Sequence, residues 1–401
     1  MVQKGPGRGV RRVAFTLVGG QVGTGSYNYL LNLTRVIDAY ASDRLTPVIF
    51  VGDDVPEVEV APFRDIAAAE VVRIRNGSSL QSRCRLARAI LLGSDARAVA
   101  AFQESSVDAV FEQAMFFGWR LPIPAISWIP DFQHRHLREL FSAKGYWQRE
   151  LGFRAQTSFN RLIMLSSEDA RRDCERFYPS TVGRTAVVRF AVLVDPASLT
   201  PDPARIAQQY GLPDDFFYLP NQFWKHKNHG VVIEAVRLLR QQGCDVVVAA
   251  TGVAGDSRHP SYYEKLKSLV VTQGLEYGFR FLGLIPRQHV IALMRACTAL
   301  INPSLFEGWS TPVEEAKTLG VPLLLSDLRV HREQMRDSAQ FFDPMSPSQL
   351  AALMQRQPKT SLATRAAIER AAIDGSGSRL REFALDFWET VQRAVGRSAA
   401  S

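Results

Sequence analysis

Asn302-Pro-Ser-Leu-Phe-Glu-Gly-Trp-Ser-Thr-Pro-Val-Glu-Glu-Ala-Lys-Thr-Leu-Gly320 decides how the rest of the chain is read. The apolar run Ala299–Ile301 predicts a strand that ends at Asn302. A loop follows, and a helix is predicted from near Thr311. Thr311 suits the N-cap, Pro312 the first helical position, and Glu314 the closing position of a capping box. A helix placed this way aims unpaired backbone N–H groups and its positive end at the carboxyl edge of the strand, which is a ready site for an anion. Glu307 lies in the loop and Glu315 in the first turn, eight positions apart. A carboxylate repels phosphate but accepts hydrogen bonds from sugar hydroxyls. Glu314 reads as an ordinary first-turn acid complementing the dipole. Glu307 has no helix to stabilise and reads as functional.

The same strand–loop–helix unit recurs on both sides. In the first half, strands are predicted at Arg12–Val18, Pro47–Val51, Glu70–Ile74, Ala109–Phe111, Ala125–Ile129, Leu162–Ser166 and Ala186–Phe190. Ser26–Tyr40 carries Tyr29, Leu30, Leu33, Val36 and Ile37 on one helical face. Val194–Ala204, VDPASLTPDPA, has no periodicity and reads as a linker. Beyond it the alternation restarts. Strands are predicted at Phe216–Leu219, Asp245–Ala250, Arg280–Leu282, Ala299–Ile301, Pro322–Ser326 and Gln340–Phe342. Helices are predicted at His229–Gln242, Ser261–Gln273, Arg287–Ala296 and Pro312–Leu319. Nearly continuous apolar strands suit parallel sheets covered on both faces. The expectation is an α/β protein of two Rossmann-like doubly wound domains, residues 1–198 and 199–375. Ligands bind such sheets at the carboxyl ends of their strands, so a cleft between the two domains is the expected site. The amphipathic stretch Arg379–Val395, within residues 376–401, is expected to cross back onto the first domain.

Composition narrows the classes. The chain has 401 residues, 46% hydrophobic and 22% charged, which excludes disorder. Its formal net charge of +8 allows an anionic partner without requiring one. No apolar run is long enough to span a bilayer. Val13–Val18 follows Lys4, Arg8, Arg11 and Arg12 and reads as a first strand, not a signal peptide. Cys84, Cys174, Cys244 and Cys297 lie far apart, which excludes a local zinc knuckle or redox pair and suits the cytoplasm.

Three further loops follow predicted strands. Leu219-Pro-Asn-Gln-Phe-Trp-Lys-His-Lys-Asn-His229 offers Lys225 and Lys227 to a diphosphate, or else is a solvated basic turn. Val18-Gly-Gly-Gln-Val-Gly-Thr-Gly-Ser26 lets a ligand approach the backbone, but it lacks the G-x-G-x-x-G spacing and the acid about 20 positions on that a nicotinamide dehydrogenase needs. Ser127-Trp-Ile-Pro-Asp-Phe-Gln-His-Arg-His136 puts His134 or His136 at a strand end, where each is equally a structural histidine. With no D-x-D, H-E-x-x-H or G-x-S-x-G, neither a metal centre nor a nucleophilic serine has support.

The Glu307–Glu315 segment resembles the E-x7-E signature of retaining glycosyltransferases of family 4, which have the GT-B fold. The resemblance extends to the loop at Gly19–Gly25, His134, Ser166-Ser167-Glu168, Lys225–Asn228, Phe281–Ile285 and the C-terminal helix. WIPDFQHRHL and NQFWKHKNH look like a bacterial branch that builds surface polysaccharide. The family often has an Arg five positions before Lys227, where this chain has Gln222; Lys225 is the alternative source of that charge. The resemblance implies a nucleotide diphospho-sugar donor and a mannose- or rhamnose-like hexose moved with retention. The acceptor is a glycan or lipid-linked glycan. Glu315 would bind the ribose, Glu307 the donor sugar, and the amides of Gly308, Trp309, Ser310 and Thr311 the sugar and phosphate. Lys227 with Lys225 would neutralise the diphosphate, and the backbone around Leu284 would face the base. His134 and the loop at Gly23 would complete the site from the first domain. No metal or other cofactor is then expected, because lysines and a helix terminus stabilise the leaving diphosphate.

Arg73, Arg75, Arg83, Arg85 and Arg88 form one basic stretch and His134–Arg154 another, the latter interleaved with Phe141, Tyr146, Trp147 and Phe153. They read as a solvated face or as a peripheral contact with an anionic membrane at its cytoplasmic side. Nucleic acid is not expected, for want of an RNP or helix-turn-helix pattern. Two other classes remain open: a GT-B epimerase or phosphorylase, marked by a free epimer or phosphate dependence, and a non-catalytic nucleotide-sugar-binding protein.

Overall fold

The apolar run beginning at Arg11 becomes the centre of a parallel sheet because its strand is flanked on both sides. In the computed structural model, which describes residues 9–17, 25–74, 92–113, 115–256, 258–358 and 360–400, β1 (Arg11–Leu17) pairs with β2 (Leu45–Gly52) and with β4 (Ala109–Gln113). With β3 (Glu70–Ile74), β5 (Ala125–Trp128), β6 (Leu162–Leu165) and β7 (Thr185–Val187) they form a seven-stranded sheet in the order β3-β2-β1-β4-β5-β6-β7. Every residue of β5 and β6 is buried, as helices on both faces of a parallel sheet require.

The chain divides into two compact units. The first comprises Met1–Phe132, Trp147–Leu193 and Ser378–Ser401. The C-terminal helix, Gly377–Ala400, belongs to it through an aromatic contact no strand pattern would show. Phe387 stacks on Phe15 with centroids 6.0 Å apart and meets Phe111 edge-on at 5.8 Å. Phe383, Phe387 and Val391 are wholly buried, each contributing about 2 kcal/mol by area.

The second unit comprises Gln133–Tyr146 and Val194–Gly377. Its sheet runs β10-β9-β8-β11-β12-β13, built from β8 (Phe217–Leu219), β9 (Val248–Thr251), β10 (Phe279–Gly283), β11 (Ala299–Asn302), β12 (Leu323–Ser326) and β13 (Gln340–Phe342). The chain steps outward from β8 to β10, then returns to lay β11 against the other side of β8. The carboxyl ends of β8 and β11 therefore flank the point where strand order reverses, which is where open α/β sheets hold ligands.

Three expectations need correction. Val194–Ala204 is not an irregular linker. Asp195 accepts from the Ala197 amide at 3.0 Å to cap a short 3-10 turn, and Asp202 accepts from the Arg205 amide at 2.8 Å to cap the helix Pro203–Gln209. Aspartate before proline is an N-cap before a first helical residue, and here it acts as one twice. The seventh strand is shorter than Ala186–Phe190 and ends at Val187. The helix after Glu307 starts at Thr311, so Ser310, not Thr311, takes the N-cap position, and no side chain caps it. The Gly-rich loop at 18–24 with Gly23, and Arg75, Arg83, Arg85 and Arg88, lie outside the described residues.

Candidate functional site

Two loops meet at the reversal point of the second sheet. One leaves β8 and passes through a 3-10 turn, Lys225–Lys227, into the helix His229–Gln241. The other leaves β11 and runs through Glu307 into the helix Thr311–Thr318. Asn228 joins them. It sits in the left-handed region (φ 54°, ψ 40°), and its amide donates to Pro303 O at 3.2 Å and Pro344 O at 2.8 Å. The Leu305 amide donates to His226 O at 2.8 Å. These bonds set the register between the two loops before any ligand arrives.

Lys227 Nζ donates to Glu307 Oε1 at 2.6 Å, and Ser304 Oγ donates to the same oxygen at 2.7 Å. The Lys227 and Glu307 side chains are only 13% and 9% exposed, so the charges pair in a largely desolvated setting. Asn302 organises the floor. Its Nδ2 donates to Ser310 Oγ at 2.7 Å, its Oδ1 accepts from Asn221 Nδ2 at 3.3 Å, and it shares the single Ser304 hydroxyl proton with Glu307, Oγ lying 2.7 Å from each acceptor. Ser310 Oγ is thereby taken up by Asn302, which explains why it does not cap the helix. The expected capping box fails for a related reason. Glu314 Oε1 accepts from Gln334 Nε2 at 3.0 Å, and Gln334 also bridges the Ser310 carbonyl at 2.9 Å and amide at 3.4 Å.

His331 follows β12 on the helix Arg329–Met335. Its Nδ1 donates to Ser326 O at 2.8 Å, while Ser326 Oγ donates to Ser304 O at 2.7 Å. Burial lowers the pKa of His331, opposed by the carboxylate of Glu307. His229, fully buried beneath the first loop, is pushed down to about 3 by burial and is neutral.

Glu315 is 4% exposed and is gripped by Arg287, the first residue of the helix Arg287–Ala296. Arg287 Nη1 reaches Glu315 Oε2 at 3.2 Å and Nη2 bonds Oε1. Neither Arg287 nor Gln334 nor Asn302 carries a sequence signal of function. Leu284 is exposed beside this helix. Gln222 Oε1 accepts from the Val253 amide at 2.6 Å. Lys225 is exposed on the 3-10 turn. Gly252 allows this crowding, since a Cβ there would lie 2.6 Å from Asn221 O.

His134 was expected on the first domain. Its strand, β5, belongs to the first unit, but residues 133–146 pack with the second. Arg258 Nη1 donates to Gln133 Oε1 at 3.1 Å, His259 Nε2 donates to Leu140 O at 3.3 Å, and the Arg258 guanidinium lies over Phe141 at 5.1 Å. The His136 ring stacks on Phe306 with centroids 5.0 Å apart, one residue before Glu307. His134 itself is buried, 5.4 Å from the Tyr146 ring. Among the described residues, no three His, Cys, Asp or Glu side chains converge as a metal-binding group would, and no helix is long and apolar enough to cross a membrane.

Residues 205–373, which carry both loops, match the family described as Glycosyl transferases group 1. A stretch of 76 residues is 32% identical to the O-antigen chain mannosyltransferase B of Escherichia coli, covering 19% of this chain and 20% of that protein's length. Solved glycosyltransferases of the GT-B fold superpose over nearly the whole chain. One from Rickettsia africae ESF-5 has a TM-score of 0.68 at 15% identity, covering 96% of this chain and 99% of its own. Anabaena Alr3699/HepE in complex with UDP has 0.65 at 16%, covering 96% and 100%. WaaG, a glycosyltransferase involved in lipopolysaccharide biosynthesis, has 0.56 at 14%, covering 96% and 98%. The chain has their fold.

Proposed function

We propose that the protein is a retaining glycosyltransferase of family 4. It moves a mannose- or rhamnose-like hexose from a nucleotide diphospho-sugar to a glycan or lipid-linked glycan in surface-polysaccharide synthesis. The observation that carries this reading is the Lys227–Glu307 pair at the reversal point of the sheet, inside the matched glycosyltransferase region. A mannosyltransferase among the partial relatives and UDP bound to a structural neighbour support the donor class.

In this reading the diphosphate takes over the Lys227 ammonium, and Glu307 turns its freed oxygen to the hexose hydroxyls. Lys225 adds charge from the exposed turn. The amides of Gly308, Trp309 and Thr311 face sugar and phosphate; that of Ser310 is already shared with Gln334. Glu315 accepts the ribose hydroxyls, and the backbone near Leu284 faces the base. The bond from anomeric carbon to phosphate oxygen breaks and its electron pair passes to the diphosphate. Lysine charge and a helix N-terminus stabilise that developing charge. The acceptor oxygen bonds to the anomeric carbon from the same face and gives its proton to the departing phosphate, so neither a metal nor a dedicated base is required. His134 serves the sugar side.

The acceptor side is proposed to lie peripherally on the cytoplasmic face of an anionic membrane. On the helix Ala143–Thr157, Trp147 and Leu151 are exposed one turn apart, flanked by Lys144 and Arg154. An apolar stripe rimmed by cations suits the headgroup boundary. The test incubates the protein with nucleotide diphospho-mannose and diphospho-rhamnose donors and a lipid-linked acceptor, and assigns the anomer formed. An α-linked product from an α-linked donor supports the reading. A free epimer, or turnover only with inorganic phosphate, contradicts it. Co-sedimentation that ignores acidic lipid removes the membrane contact.

A further inference from the structure

We infer that Arg287 is a positioning residue for nucleotide recognition: its guanidinium orients and charge-balances Glu315 so that the carboxylate presents its remaining lone pairs to a vicinal diol. The inference rests on the proposed role of Glu315 toward ribose, and assigns the side chain that makes that role workable.

The geometry is specific. Glu315 stands on the helix Thr311–Thr318 and Arg287 opens the helix Arg287–Ala296, each following a strand of the same sheet. The contact is bidentate, Nη1 to Oε2 at 3.2 Å and Nη2 to Oε1. A carboxylate has about four acceptor positions. A guanidinium fork occupies one on each oxygen and leaves one on each, matching the two adjacent hydroxyls of a ribose. The burial is lopsided: the Glu315 side chain is 4% exposed and that of Arg287 52%. The acid is thus held by a partner that itself reaches solvent. Exposed Leu284 lies just ahead in the chain.

The environment explains why a partner is needed. The Tyr218 phenol of β8 also feels this carboxylate. It is fully buried and hydrogen-bonded to Thr251 Oγ1 at 2.8 Å, and burial raises its pKa, so it stays neutral. Neighbouring Glu314 turns toward Gln334 and Lys317. Attraction to Glu315 raises the pKa of Arg287. Without the fork the carboxylate loses the bonds that fix its orientation and the charge that offsets its burial, and the match to a diol is lost.

The test titrates UDP and GDP, and their 2′-deoxy forms, into wild type, Arg287→Met, Arg287→Lys and Glu315→Gln. Arg287→Met is expected to weaken ribonucleotide binding about tenfold, equivalent to about 1.4 kcal/mol. Its preference for ribose over deoxyribose should shrink. Arg287→Lys, which keeps the charge but not the fork, should fall between. Wild-type affinity in Arg287→Met, or a loss with the ribose preference kept, overturns the inference. Glu315→Gln separates the two layers. If it binds ribonucleotides like wild type, the underlying site reading fails. If it weakens them while Arg287→Met does not, only the role of Arg287 fails.

Discussion

Lys227 Nζ stands 2.6 Å from Glu307 Oε1 across 80 positions of sequence, and both side chains are largely buried. Removing one partner of such a pair leaves an uncompensated charge and costs about 3–5 kcal/mol. Removing both costs much less. Lys227→Met alone is therefore expected to destabilise more than Lys227→Met combined with Glu307→Leu. All three variants, including Glu307→Leu alone, should lose hexosyl transfer. A urea-melt double-mutant cycle with a turnover assay checks both halves. Additive stability losses would show that the pair is not coupled.

Asn228 holds the two loops in register from a left-handed backbone (φ 54°, ψ 40°). Asn228→Gly keeps that backbone without strain but loses the bonds to Pro303 and Pro344. Asn228→Ala loses the bonds and adds the steric cost of the left-handed region, about 1–2 kcal/mol. Stability should fall in the order wild type, Asn228→Gly, Asn228→Ala. An alanine variant at least as stable as the glycine variant would disprove the strain component.

Arg336 ends the helix Arg329–Met335 at φ 49° and ψ −120°, a conformation that suits glycine and no branched residue. It is exposed. Arg336→Gly is expected to stabilise by about 1 kcal/mol, seen as a higher urea midpoint at unchanged slope. Arg336→Ala, which retains the strain, should leave the midpoint where it is.

Asp386 lies on the C-terminal helix, its carboxyl pushed up to about 6 by burial first, then by Glu382 and Glu389, with Arg189 opposing. The folded state thus holds a proton that the unfolded chain has released, and stability falls as pH rises from about 4 through 6. Asp386→Asn removes this dependence. The variant should match wild type near pH 4 and exceed it near pH 7.5 in thermal melts. A constant difference across that range would contradict the assignment.

Much of the scaffold was legible because single elements carry their own signals. Glu70–Ile74, Gln340–Phe342 and Arg287–Ala296 fall where the apolar patterns put them. Glu307 was legible because an acid in a Gly-Trp-Ser loop has no local task. The partners were not. Arg287 meets Glu315 only because β8 seats between β9 and β11, and strand order is not written in periodicity. Gln334 looks like any helix glutamine until its helix docks and it bridges Ser310 and Glu314. The same holds for residues 133–146: His134 follows a strand of one unit, but Gln133, Leu140 and Phe141 find Arg258 and His259 in the other. Val194–Ala204 lacks periodicity and so resembles a linker, although each Asp-Pro step spells a cap.

In the proposed site Lys227 neutralises the donor diphosphate, which titration of UDP and UMP, and of GDP and GMP, into wild type and Lys227→Met checks. Wild type is expected to bind the diphosphate of its own nucleotide at least tenfold more tightly than the monophosphate, about 1.4 kcal/mol, and the variant to lose most of this preference while still binding the monophosphate. A folded Lys227→Met protein that keeps the full preference would contradict it.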